Sequence, residues 1–168
     1  MNIKKHKNLI DAYEHMLEQV HELFSTVDDK IRPKLSHAIE TAQKKTFEVG
    51  KLTQDEAEKV GEYLKRDLSD MGHYIDDTGK EVREWFKFDL DVMEDRLKDM
   101  LISAADKTSL EISLLKERLS ESATWHTGEI TAPGTLVCEK CGQEVHFQKT
   151  AHIPPCPKCH GSNFKRPI

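Results

Sequence analysis

The sequence Leu136-Val137-Cys138-Glu139-Lys140-Cys141-Gly142 is followed by Pro155-Cys156-Pro157-Lys158-Cys159-His160-Gly161, with fourteen residues between the two cysteine pairs. Two residues separate the cysteines of each pair, which lets both sulfurs of a tight turn approach one ion from the same side. Four thiolates in a tetrahedral array make a closed structural site with Zn–S distances of about 2.3 Å. The spacing therefore predicts Cys138, Cys141, Cys156 and Cys159 as the ligands of one zinc ion per chain, with no position left for a reactive water.

The same cysteines leave two other interpretations open. Iron also suits a tetrahedral set of thiolates. A redox-active dithiol belongs at a strand-to-helix turn of an α/β unit, and the sequence shows no such unit. His146, His152 and His160 lie near the cysteines but exceed a complete ligand set, so we expect them at the surface or behind the ligands. Zinc is the interpretation that this pattern favours.

The residues around the cysteines favour short β-strands in a metal-stabilised ribbon. Thr135–Val137, Glu144–Phe147 and Asn163–Arg166 have the length and composition of strands. Gly142 and Gly161 follow the two cysteine pairs, where a residue able to adopt a positive φ is needed. A ribbon of this size buries too little surface to fold alone, so metal binding is expected to supply its folding free energy.

Composition divides the 168 residues into two unlike parts. Residues 1–124 contain 20 Lys+Arg and 27 Asp+Glu, whereas residues 125–168 contain 5 and 3, together with all four cysteines and five of the six prolines. Helix-type composition thus gives way to turn and strand composition near residues 123–133. We predict a helical domain over 1–124, a linker over 125–134 and a zinc ribbon over 135–168.

Apolar residues in the first part recur at the spacing of helices. Between Ile10 and Ile31 the spacings alternate between three and four, which predicts a first helix with a heptad seam that cannot continue through Pro33. A second apolar stripe predicts a helix that ends at Gly50, in the left-handed position beyond a helix C-terminus. The residues of these two stripes are Ile10, Tyr13, Leu17, Val20, Phe24, Val27 and Ile31, then Leu35, Ala38, Ile39, Ala42, Thr46 and Val49.

Two capping-box motifs suggest where later helices begin. Thr53-x-x-Glu56 predicts the start of a third helix, and Gly79 marks a break after it. Thr108-x-x-Glu111 predicts the start of a further short helix that includes Leu119. The stripes are Ala57, Val60, Leu64, Leu68, Met71 and Ile75, then Val82, Phe86, Leu90, Met93, Leu97, Met100 or Leu101, and Ala104.

The stripes are narrow and the opposite helix faces are densely charged, since 33% of all residues are charged and 37% are hydrophobic. This pattern is typical of slender antiparallel helices. We therefore predict a mainly α protein: an N-terminal antiparallel helical bundle or set of coiled-coil hairpins, with a small C-terminal β zinc ribbon. A thin bundle leaves apolar surface uncovered, so a homodimer through the helices is one expectation.

The motif His126-Thr127-Gly128-Glu129 admits two interpretations. His126, Gly128 and Glu129 are candidates for contact with a partner. Alternatively, the motif is a turn in which Gly128 bends the chain and Trp125 docks the ribbon on the helices. The second interpretation is favoured, because an apolar aromatic residue at a domain junction is usually buried.

A nucleic-acid or ribosome contact is confined to the ribbon. Five basic residues lie in sequence near Phe147 and Phe164: Lys140, Lys149, Lys158, Lys165 and Arg166. Basic residues beside exposed aromatic rings contact phosphates and stack on bases. Both rings are more simply the core of the ribbon. Four thiolates and one zinc ion also add about −2, which cancels the charge of the tail. A protein partner, whose identity the sequence does not give, is therefore favoured over nucleic acid.

Several classes of protein are disfavoured. No run approaches the ~18 apolar residues that a membrane span needs, and acidic residues interrupt the segment after Lys4–Lys7 where an export signal would be apolar. A cytoplasmic location is expected. An iron-dependent peroxidase of the rubrerythrin type needs Glu-x-x-His motifs that face into the bundle. Glu18-x-x-His21 and the weaker Asp70-x-x-His73 flank the apolar stripes instead, so no enzyme is predicted.

Several segments resemble the bacterial YbeL-like zinc-ribbon-containing proteins: 50–53, 65–68, 105–111, 126–130 and 134–141. The resemblance extends over most of the chain, and residues 105–160 are its most specific part. It implies an N-terminal helical region, a C-terminal zinc ribbon and the four cysteines as metal ligands. It implies no substrate and no catalytic residue, and Pro33 departs from the more continuous first helices of that family. The function expected is a non-enzymatic adaptor that binds another macromolecule.

Overall fold

The structure is a computed structural model that describes residues 3–26, 28, 31–50, 52–115 and 123–167. Four long helices and one short helix precede all the strands. The helices are α1 (Ile3–Thr26), α2 (Leu35–Glu48), α3 (Gln54–Thr78), α4 (Val82–Trp85) and α5 (Asp95–Leu115), with a 3-10 turn at Leu90–Val92 between the last two. Helix α3 packs on α1, α2 and α5, and α1 also contacts α2 and α5.

The predicted seams are largely buried within this single chain. Tyr13, Leu17 and Val20 of α1 are fully buried in the common core of the helices. The first helix ends before the predicted seam does, because Ile31 lies in the connection to α2 and is 75% exposed. Val27 lies outside the described residues. Val49, predicted on the buried face of α2, is exposed beyond the end of that helix.

The predicted start of the third helix at Thr53 is confirmed. Thr53 is the N-cap of α3, and its hydroxyl oxygen accepts a hydrogen bond from the Glu56 backbone N–H at 3.2 Å. Gly79 ends α3 in the left-handed conformation with a φ of 67°. After this break the chain forms the short α4 and the 3-10 turn, not the continuous helix that the apolar pattern from Val82 suggested.

The second predicted capping box is wrong. Thr108 and Glu111 lie inside α5, and the Thr108 hydroxyl donates to the Ala104 carbonyl one turn earlier. The carboxylate of Glu111 instead accepts from the Leu35 backbone N–H at 3.0 Å, at the start of α2. A residue of one helix therefore caps another helix. Leu119 lies outside the described residues.

Two small antiparallel sheets form the C-terminal part. The strands are β1 (Trp125–His126), β2 (Ile130–Thr131), β3 (Gly134–Cys138), β4 (Glu144–Phe147), β5 (Ala151–His152) and β6 (Asn163–Lys165). The larger sheet has the strand order β1-β6-β3-β4, and the smaller pairs β2 with β5.

The predicted linker over 125–134 is part of the folded ribbon. Strand β1 pairs with β6 and places Trp125 opposite Phe164, and β2 pairs with β5. Ile130 and Ala132 are buried in the same apolar cluster as the helices. The ribbon therefore packs directly on the helical part. Among the described residues, no helix combines the length and the apolar character needed to cross a membrane.

Candidate metal centre and the junction of ribbon and helices

The structure brings the four cysteines together. Their sulfur atoms all lie within 4.8 Å of one another, with 3.6 Å between the Sγ atoms of Cys138 and Cys159 and between those of Cys141 and Cys156. A disulfide needs about 2.05 Å. The corners of a tetrahedron of sulfurs around zinc are about 3.8 Å apart, given a Zn–S distance of about 2.3 Å. The arrangement therefore fits a shared metal ion and not a disulfide.

Each cysteine pair lies in a turn with the same hydrogen bonds. The carbonyl of Cys138 accepts from Gly142 N–H, and the carbonyl of Cys156 accepts from His160 N–H, both at 2.9 Å. Gly142 has a φ of 76° and His160 a φ of 60°, so His160, and not Gly161, takes the left-handed conformation in the second turn.

Gly161 is needed for space near the sulfurs. A Cβ atom at this position would lie 3.2 Å from Cys159 Sγ and 3.3 Å from Cys138 Sγ. Such contacts are tighter than those of ordinary side chains. The absence of a side chain at Gly161 thus lets the second turn close over the two sulfurs.

The protonation of the thiols also favours a bound cation. Burial alone raises the pKa of Cys156, but backbone N–H groups of Cys159 and Lys158 donate to its sulfur, and with the other thiols they lower the pKa to about 6. The Gly161 N–H lowers the pKa of Cys159, whereas burial and the neighbouring cysteines raise it to about 12. Four thiols this close cannot all ionise unaided, and a divalent cation would stabilise the four thiolates together.

A buried carboxylate joins the ribbon to the helices. Asp67 of α3 is fully buried. Its Oδ2 accepts hydrogen bonds from the Tyr13 hydroxyl at 2.5 Å and from the Ala132 backbone N–H at 2.9 Å. Its Oδ1 accepts from Trp125 Nε1 at 2.8 Å and from Arg66 Nε at 3.1 Å. One side chain of α3 therefore binds groups from α1, from its own helix and from the ribbon.

Arg166 enters the same junction from the end of β6. Its guanidinium lies 4.1 Å from the centroid of the Trp85 ring and 4.8 Å from that of Trp125. It donates to the Thr135 carbonyl at 3.2 Å, and its Nη2 lies 3.9 Å from Asp67 Oδ1. A Cβ atom at Gly134 would lie only 2.6 Å from Arg166 Nη1, so the close approach requires glycine there.

The His126–Glu129 motif forms a turn at this junction. Gly128 has a φ of 94°, and its N–H donates to the Ile153 carbonyl at 2.8 Å. Glu129 binds Arg66 Nη1 at 2.6 Å and accepts from the His126 backbone N–H at 3.1 Å. Glu129 thus contributes to docking, in agreement with the interpretation of the motif as a junction turn.

The predicted partner-contact residues divide into two groups. His126, Gly128, Lys158 and Lys165 are exposed. Arg166 is buried against two tryptophan rings, which corrects its assignment as a partner contact because its guanidinium does not reach the surface. Both aromatic rings suggested for base stacking, Phe147 and Phe164, are buried in the ribbon core together with Trp125, Leu136, Cys138, Ile153 and Cys156.

The acidic residues of the Glu18-x-x-His21 and Asp70-x-x-His73 motifs each bind another side chain. Glu18 pairs with Arg96 of α5 at the surface. Asp70 accepts from Trp85 Nε1 at 2.8 Å and lies 3.9 Å from Arg166 Nε. Over the described ranges, the cysteine cluster is the one group of His, Cys, Asp or Glu side chains close enough to share a metal ion.

The sequence patterns do not predict Asp67, Arg66 and Tyr13 as the residues that dock the ribbon. A signal was present for Asp67. It lies three residues after Leu64 and four before Met71, which places a carboxylate on the apolar stripe of α3. A charged residue at such a position indicates a buried partner, although the sequence does not say which one.

A bundle of helices that carries a four-cysteine ribbon defines a zinc-ribbon protein with a helical N-terminal part, and the chemistry of the cysteines points to a structural zinc site. The chain belongs to the family described as zinc-ribbon containing domain, whose model matches residues 22–167. This confirms the resemblance seen in the sequence.

Known relatives are similar over most of their length. The uncharacterized protein YbeL of Escherichia coli K12 is 28% identical over 152 residues, which cover 86% of this chain and 91% of the relative. The YbeL proteins of E. coli O6:H1 and O157:H7 match to the same extent. No solved structure matches the chain.

Proposed function

We propose that this protein is a non-enzymatic, cytoplasmic interaction module that uses one structural zinc ion per chain to present the outer face of its larger sheet to a protein partner. The observation that carries the proposal is the division of the sheet into two faces. One face holds Trp125, Phe164 and Leu136 and is buried, whereas on the other face Thr135 is covered by the helices and Val137, Lys165 and their neighbours stay half-buried or exposed. Docking on the helices fixes this exposed face in one orientation.

The chemistry of the exposed face favours a protein partner. Val137 of β3 lies between Lys165 of β6 and Glu144 of β4, so a half-buried apolar residue is flanked by charges of both signs. His126 and Asn163 extend the same face on β1 and β6. A surface of mixed charge suits a protein, because phosphate binding needs a predominance of positive charge.

The alternative of a nucleic-acid or ribosome contact has weaker support. Lys140, Lys158 and Lys165 are exposed and could bind phosphates. The stacking residues that this alternative needs, Phe147 and Phe164, are buried, as is Arg166. The alternative therefore rests on lysines alone.

A pull-down with the zinc-loaded full chain tests the proposal. We expect a protein that is captured equally with and without nuclease, lost with Lys165→Glu, and retained with Lys59→Glu, a matched charge reversal on the exposed side of α3. Capture that disappears on nuclease treatment would favour the nucleic-acid alternative. Capture that is insensitive to Lys165→Glu would contradict the assigned face.

Two further expectations belong to this proposal. Zinc is preferred over iron in the four-thiolate site, and metal analysis distinguishes the two. A homodimer through the helices stays a prediction. The heptad residues Tyr13, Leu17 and Val20 are already buried within one chain, so a dimer would have to use another face of the helices. Sedimentation at several protein concentrations measures the mass of the particle and tests this prediction.

A further inference from the structure

The ribbon completes the core of the helices. Ile130 and Ala132 are buried in the same apolar cluster as Tyr13 and Phe86. Strand β2 contacts both α1 and α3, and β5 contacts α1. Thr135 of β3 donates to the Phe86 carbonyl at 2.9 Å. The face of the helices beneath the ribbon is therefore an interior surface as long as the ribbon stays in place.

Asp67 depends on the ribbon for its partners. Tyr13 and Arg66 belong to the helices, but the Trp125 Nε1, the Ala132 N–H and the Arg166 guanidinium come from the ribbon. Without the ribbon, the carboxylate would lose two of its four hydrogen-bond donors and the charge of Arg166. Removal of the ribbon would leave this side chain and the apolar residues around it facing water.

The metal ligands are continuous with the strands that make this junction. Cys138 is the last residue of β3 and pairs with Phe164 of β6. The opposite end of β3 carries Thr135, and the chain after β6 leads directly into Arg166. The four sulfurs join the turn after β3 to the turn before β6, so loss of the ion would free the ends of both strands, of which β6 leads into Arg166 and pairs with Trp125.

We propose that metal binding at the four cysteines keeps the ribbon docked on the helices, and that metal release uncovers an apolar face around Asp67, Trp85 and Phe86. This inference rests on the proposed zinc site. It assigns the ion a second effect, the stabilisation of helices to which it is not bound. Metal release would thereby convert an interior surface of α1 and α3 into an accessible one.

The test compares the zinc-loaded full chain with the same chain after treatment with a chelator. Helical circular dichroism at 222 nm is followed on heating, together with tryptophan emission. We expect zinc removal to lower the midpoint of helical melting by more than about 5 °C. Emission should shift to longer wavelength, because Trp85 and Trp125 leave a buried environment. A helical midpoint that is the same with and without zinc would overturn the proposal.

A pair of neighbouring substitutions locates the coupling. Arg166→Met removes the guanidinium from the junction, whereas Lys165→Met changes an exposed residue next to it. We expect Arg166→Met to keep about one zinc per chain but to lose at least half of the zinc-dependent shift in midpoint, and Lys165→Met to keep the whole shift. Equal effects of the two substitutions would overturn the proposed coupling of the metal site to the helices through Arg166.

Two provisions keep the test decisive. If Arg166→Met does not fold, Trp125→Phe replaces it, because this change removes only the Nε1 donor to Asp67 and part of the ring. Zinc content is measured separately for every sample. A wild-type chain without zinc would refute the metal site itself, whereas a zinc-loaded chain whose helices melt independently of zinc would refute the coupling alone.

Discussion

Asp67 accepts hydrogen bonds from four groups while it is fully buried, and Arg66 and Arg166 supply the positive charge nearby. Breaking one partner of such a network is far more unfavourable than replacing the whole network by apolar residues. Loss of one partner would therefore leave an uncompensated charge buried at the junction. Arg66 and Arg166 each stack on the Trp125 ring, which makes this tryptophan the centre of the junction.

Substitution of Asp67 should reveal this dependence. Asp67→Asn removes the charge and places an amide NH2 against the donors, so we expect the free energy of unfolding to fall by about 2–4 kcal/mol. Chemical denaturation followed by circular dichroism measures the change. The exposed Asp76→Asn on the same helix is the matched control and should stay within about 0.5 kcal/mol of wild type. Similar values for the two variants would contradict the role of Asp67.

Asp70 should give the protein a pH-dependent stability. Burial raises the pKa of its carboxyl above the usual value, although Arg166 and the hydrogen bond from Trp85 oppose this. A carboxyl whose pKa is raised in the folded state contributes most to the free energy of unfolding below its unfolded pKa of about 4. This contribution is lost as the pH rises through the pKa of the folded state.

Asp70→Asn removes the titrating carboxyl, so the variant should not lose this part of its stability as the pH rises. The unfolding free energy of the variant relative to wild type should therefore increase as the pH rises from about 4 towards neutrality. Denaturation series at several pH values measure this difference, with the exposed Asp77→Asn as the control. A difference that decreases with pH, or one that the control reproduces, would contradict the assignment.

At the scale of elements, the two capping boxes show what local sequence can predict. Thr53 caps α3 because its extended backbone places the hydroxyl where it accepts from the Glu56 N–H. Thr108 has the same local motif, but both Thr108 and Ser109 are buried within α5, where packing against the other helices keeps the chain helical. Tertiary contacts decide the second case, and the sequence around Thr108 does not contain them.

Glu111 acts across the space between two helices, and its effect on α2 can be measured. Glu111→Ala removes the acceptor for the Leu35 N–H at the helix start, where Lys34 provides no side-chain cap. We expect a loss of about 1 kcal/mol in unfolding free energy. Denaturant midpoints measure it, and Glu62→Ala, at an exposed site of α3, is the control. Equal losses would show that Glu111 contributes only as an ordinary surface residue.

Among the strands, too, local sequence predicts some elements and tertiary contacts decide the others. The predicted segments 135–137, 144–147 and 163–166 nearly coincide with β3, β4 and β6, because alternation and cysteine spacing are local signals. Strands β1 and β2 have two residues each and are defined by pairing with β6 and β5, distant in sequence. Their residues therefore looked like a linker when the sequence was considered alone.

At the scale of the molecule, the difference in composition between the two parts does not mark two independent bodies. The tail is basic and rich in proline, yet Arg166 and Trp125 are buried against the helices. The sequence predicted the cluster of four cysteines and most helices, since both depend on spacing. It did not predict the junction, because Tyr13, Asp67 and Arg166 are brought together only by the complete fold.

The identity and coordination of the metal test the central claim most directly. X-ray absorption at the zinc edge, combined with metal analysis of the purified chain, should show about one zinc per chain bound by four sulfurs at about 2.3 Å. Cys138→Ser should lower the zinc content sharply. Fewer than about 0.5 zinc per chain, iron in its place, or nitrogen or oxygen ligands in place of sulfur would contradict a structural zinc site formed by these four cysteines.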